Sequence, residues 1–114
     1  MPRNESRMLV QDMLNAIAEI REFTVGLDRV AFDNDVRTQR AVAYNFLVLG
    51  EAARRMPETV RNQFPHVPWT RIVAMRNIVV HEYHRVDVNI IWDSIQTDLP
   101  ELIPLLEQVL ARIE

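Results

Sequence analysis

Two glycines, Gly26 and Gly50, are all that this chain of 114 residues contains. Hairpins and tight strand bends draw on the left-handed backbone region, which glycine enters at the least steric cost. A strand-and-turn architecture is therefore poorly served, and the apolar residues recur instead at helical spacing. Between residues 5 and 24 they are Leu9, Val10, Met13, Leu14, Ile17, Ile20 and Phe23, a rhythm of three to four with polar residues between. Gly26 follows where a helix C-terminus favours glycine.

The same reading carries through the rest of the chain. Asp28 can cap a single short turn through Phe32, and Asp33-Asn34-Asp35 is a second capping cluster. A long helix is predicted from about Val36 to Met56, ended by Pro57, whose ring cannot continue the hydrogen-bond ladder. A short helix around Glu58–Gln63 lies in a proline-bearing connector. A further main helix is predicted from Trp69 to about Tyr83, with Trp69 and Trp92 as core anchors and His66 on the surface. Asp87 is a good cap for a helix through Ile95. Asp98, with Pro100 after it, reads as the N-cap of a last, leucine-rich helix that Pro104 should kink or begin. The expectation is an all-α fold, a compact up-and-down bundle of four to five main helices, spanning residues 1–114 as one domain.

Composition narrows the chemistry. Cysteine is absent, which removes disulfide frameworks, thiolate catalysis and cysteine-bound zinc. No signal peptide and no uninterrupted apolar span is read in the sequence, so the expected location is cytoplasmic. A formal charge of −3 argues against stable, non-specific nucleic-acid binding without excluding an enzyme that meets RNA briefly. All 13 basic residues are arginine, each a planar fork able to grip carboxylate or phosphate with two parallel bonds.

The chemically dense stretch is Met75-Arg76-Asn77-Ile78-Val79-Val80-His81-Glu82-Tyr83-His84-Arg85. On a helix Asn77 and His81 lie one turn apart on one face, while Arg76 and His81 diverge by roughly 140°. One continuous helix does not easily aim that pair at a single point; a helix end near His81, or a second protomer across a cleft, would. His81, Glu82 and His84 also raise the question of a metal, but only His81 and His84 share a face and no third ligand is evident, so no metal and no cofactor is expected.

Arg76, His81 and Tyr83 form the pattern Arg-x4-His-x-Tyr, and the sequence here resembles the toxin branch of the HEPN ribonucleases. Gln39-Arg40-Ala41-Val42, Leu49-Gly50-Glu51-Ala52-Ala53, Pro68-Trp69, Val86-Asp87, Ile91-Trp92 and Asp98-Leu99-Pro100 extend the resemblance to HepT-like toxins over roughly residues 6–110. It departs at His84, where an aromatic is expected. The resemblance implies a homodimeric, metal-independent endoribonuclease with RNA as substrate, Arg76 and His81 as catalytic residues and Asn77 in support. It further implies a small MntA-type nucleotidyltransferase antitoxin that transfers AMP to Tyr83. A non-catalytic helical binding partner of a minimal nucleotidyltransferase is the alternative from another class of function.

Overall fold

A computed structural model describes the backbone of residues 3–81 and 88–113 and the side chains of residues 5–77 and 88–113. Among them every regular element is helical: α1 (Arg3–Thr24), α2 (Arg29–Asp33), α3 (Val36–Arg55), α4 (Glu58–Gln63), α5 (Trp69–His81), α6 (Val88–Asp93) and α7 (Leu99–Arg112), with a π-helical turn at Ser94–Asp98. None of these helices is long and apolar enough to cross a membrane.

The helix boundaries have local causes. Gly26, with φ +81°, takes the left-handed conformation just past α1. The Thr24 hydroxyl folds back to donate to the Ile20 carbonyl at 2.8 Å. The Asp28 carboxylate accepts from the Ala31 N–H at 2.8 Å and caps α2. Asp35 caps α3, accepting from the Thr38 N–H at 3.1 Å and its hydroxyl at 2.6 Å, and those two bonds hold its carboxyl below the ordinary value. Gln39 then donates to the Phe32 and Asp33 carbonyls at 2.7 and 3.0 Å, closing the corner between α2 and α3.

Helix α3 is the centre of the bundle, with α1 and α5 packed against it and α7 against α1. Val10, Met13, Ile17 and Ile20 of α1 meet a core that includes Val42, Phe46, Leu49 and Ala53 of α3, Ile72 and Met75 of α5, and Leu102, Leu106 and Val109 of α7. Full burial of a large aliphatic or aromatic side chain contributes roughly 1.5–3 kcal/mol, so this shared core is what holds the helices together. Trp69 is buried as expected, its indole N–H donating to the Phe64 carbonyl at 3.0 Å. Trp92 is half-buried and lies against Phe32, ring centroids 5.2 Å apart. His66 is exposed, also as expected.

One boundary differs from the sequence reading. Asp98 is no N-cap: its backbone is helical (φ −76°, ψ −47°), its side chain makes no capping bond, and the chain stays helical from α6 through the π-turn into α7. The carboxylate instead accepts from Arg71 of α5 at 2.5 Å. Pro100 supplies a physical reason for the wider turn before it, since its ring would crowd the carbonyl four residues back and it has no N–H to donate. Pro104 lies inside α7 rather than at its start.

Candidate active site at the α3–α5 seam

The site is built on the crossing of α3 and α5. Mid-helix glycine costs about 1 kcal/mol against alanine, so Gly50 inside α3 requires a packing reason. The structure provides it. A Cβ at Gly50 would collide with the Cβ of Arg76 and sit 3.1 and 3.2 Å from the Arg76 backbone nitrogen and Cα. Only a residue without a side chain lets α5 approach this closely, and the residue that faces Gly50 is Arg76.

Glu51, the next residue of α3, continues the contact. Its carboxylate lies 3.6 Å from the Arg76 Nε, with the Arg76 side chain 33% exposed. The same carboxylate is gripped by Arg54, whose Nε donates to both oxygens at 3.1 Å and whose Nη2 donates at 2.5 Å. The Arg54 bonds, chiefly, hold the Glu51 carboxyl below the usual carboxylate range, with the charges of Arg54, Arg76 and Arg55 adding to them against the effect of burial. The reciprocal bond raises Arg54 above the ordinary arginine value. The result is an Arg54–Glu51–Arg76 relay across the seam, anionic only at its middle.

A groove of about 290 Å³ between α1 and α3 reaches this relay; Asp12, Tyr44, Leu47, Glu51 and Arg55 are among its lining residues. A larger concavity of about 610 Å³ lies between α4 and the start of α5, lined in part by Arg61, Asn62, Trp69 and Arg71, and contains none of the site residues read from the sequence.

Of those residues, Arg76 lies at the seam, partly exposed, and Asn77 is exposed on the next position of α5. His81 is the last residue of α5 whose backbone is described, while its side chain, and Tyr83 with Glu82 and His84, lie outside the described residues. The contribution of Glu51 and Arg54 was not assigned from sequence. Two signals pointed toward it: a glycine in the interior of a long helix, and a carboxylate placed three and four residues before two arginines.

Comparison with known proteins identifies the family. The family model described as "Ribonuclease HepT-like" matches residues 13–109. A candidate RNase of Methanocaldococcus jannaschii is 32% identical over 114 residues, covering 100% of this chain and 94% of its own length. A Thermococcus cleftensis protein named probable ribonuclease HepT is 33% identical over 93 residues, covering 82% of this chain and 84% of that protein. A candidate RNase of Caldanaerobacter subterraneus is 29% identical over 106 residues, with 93% and 95% covered. No solved structure is a significant match. A family match over residues 13–109 and relatives at 32% and 33% identity over most of their own length place this helical bundle in the HepT-like ribonuclease family of the HEPN superfamily.

Proposed function

We propose that the protein is a metal-independent endoribonuclease toxin acting on RNA in the cytoplasm as a homodimer. RNA carries its own nucleophile, the 2′-hydroxyl, so cleavage requires a base, an acid and a positive charge rather than a metal. The 2′-oxygen attacks phosphorus as its proton passes to one His81; the bond from phosphorus to the 5′-oxygen breaks as a second His81 returns a proton to that oxygen. Imidazole titrates near neutrality and serves either role. Arg76 holds the non-bridging oxygens as charge develops on the pentavalent phosphorus. Asn77, one turn before His81 on the same face, orients the imidazole or donates to the phosphate.

Two protomers supply the two histidines. An MntA-type nucleotidyltransferase antitoxin neutralises the enzyme by transferring AMP to Tyr83, which sets a bulky anion where the RNA phosphate must lie. The observation that carries the reading is the Arg76 guanidinium, held at the α3–α5 seam yet one-third exposed, within a ribonuclease family.

The test is RNA cleavage by purified protein in EDTA. The parent cleaves, while Arg76→Ala and His81→Ala keep the parent's helical circular dichroism and lose cleavage by about 10²-fold or more, as expected for loss of a transition-state contact or of a proton-transfer group. Cleavage at the parent rate by either variant removes that residue from the mechanism. Tight complex formation with a nucleotidyltransferase and no cleavage by the parent at any pH identifies a non-catalytic partner instead.

A further inference from the structure

We infer that Glu51 is a positioning residue for cleavage, holding the Arg76 guanidinium by its Nε edge so that the terminal nitrogens meet the phosphate. The inference rests on the reading of Arg76 as the cation that holds the scissile phosphate.

An arginine side chain is long and loses substantial rotamer freedom when it must act from one place. Here that freedom is restricted at both ends. Gly50 fixes the backbone of Arg76 against α3, because the close contact is with the Arg76 Cβ, Cα and backbone nitrogen. Glu51, one residue on, lies 3.6 Å from the Nε at the far end. The carboxylate is itself anchored, since Arg54 grips both of its oxygens from the next turn of α3. Arg54 therefore acts on Arg76 through Glu51.

The choice of nitrogen matters. A guanidinium presents two edges suited to paired acceptors, and one paired to a carboxylate through Nε can still offer its terminal nitrogens to a phosphate. The bonds from Arg54, chiefly, favour the charged form of that carboxylate. Orientation of this kind is expected to act on the transition state more than on ground-state binding, because the geometry is needed most when charge builds on the equatorial oxygens. The charge of Glu51 also partly offsets that of Arg76, so its removal is not expected to weaken the initial capture of RNA.

The experiment compares parent, Glu51→Gln, Glu51→Asp and Arg76→Ala on a fluorescent RNA oligonucleotide in EDTA, with a thermal melt of each. The expected result for Glu51→Gln is a kcat lowered about tenfold with KM not raised and Tm within about 2 °C of the parent. Glu51→Asp, which keeps the charge on a shorter arm, recovers part of kcat. Glu51→Gln turning over at the parent rate overturns the inference. So does an equal loss in Glu51→Gln and Glu51→Asp that tracks a fall in Tm, since that is what a purely structural role would give. In both cases an inactive Arg76→Ala leaves the proposed function standing. Arg76→Ala cleaving at the parent rate, or a parent that does not cleave, overturns both readings together.

Discussion

At position 76 an arginine does what a lysine does not. Lysine offers one compact ammonium, which a carboxylate beside it would occupy; the guanidinium can meet Glu51 through Nε and keep further donors for a second anion. Its spacing to His81 and Tyr83, which marks Arg76 as a candidate, was legible in the sequence. The reason it stands where it does was not, because the reason lies in another helix, twenty-five residues back. Tyr83 is the residue at which the proposed regulation is decided. Intact-mass measurement after incubation with ATP and the cognate nucleotidyltransferase is expected to show addition of AMP to the parent and none to Tyr83→Phe. Equal modification of the two chains would place the acceptor elsewhere.

At the scale of the elements, α3 and α5 matter most. Their existence and their starts at Val36 and Trp69 follow from apolar spacing, the Asp35 cap and the prolines before each helix or after it. Their crossing does not follow from any of these. Spacing specifies which face of a helix is buried, whereas the distance of approach depends on one missing Cβ, whose partner sequence alone does not name. Gly50→Ala is accordingly expected to destabilise the fold by about 1–3 kcal/mol, despite alanine's better helix propensity, because the collision is with backbone and Cβ atoms that cannot swing aside. Chemical denaturation reads the change as a lower midpoint at unchanged slope. An alanine variant as stable as the parent would mean that α5 can shift without cost. The π-turn escaped the sequence reading for a related reason: Asp98 and Pro100 together resemble the start of a helix, and only the tertiary bond from Arg71 shows that the aspartate is used elsewhere.

Among the described residues several large apolar side chains stay outside the core. Met8 and Tyr44 are 64% and 66% exposed, and Tyr44 lines the groove that includes Glu51. A second copy covering Tyr44 in that groove would account for its exposure in the proposed homodimer. Sedimentation equilibrium at the concentrations used for cleavage is expected to give twice the 13.4 kDa monomer mass. Full activity from a species of monomer mass would refute the two-histidine division of labour.

The π-turn has a consequence of its own for how the bundle is assembled. Between residues 88 and 112 one helical rod runs without a break, yet each wide turn takes up an extra residue, equivalent to roughly 100° of rotation about the axis. The rod is thus two cams on one shaft, set out of phase. The first half can present Ile91 and Trp92 toward the Phe32 corner while the second keeps Leu102, Leu106 and Val109 in the common core. Two walls at different bearings are served by a single continuous spindle.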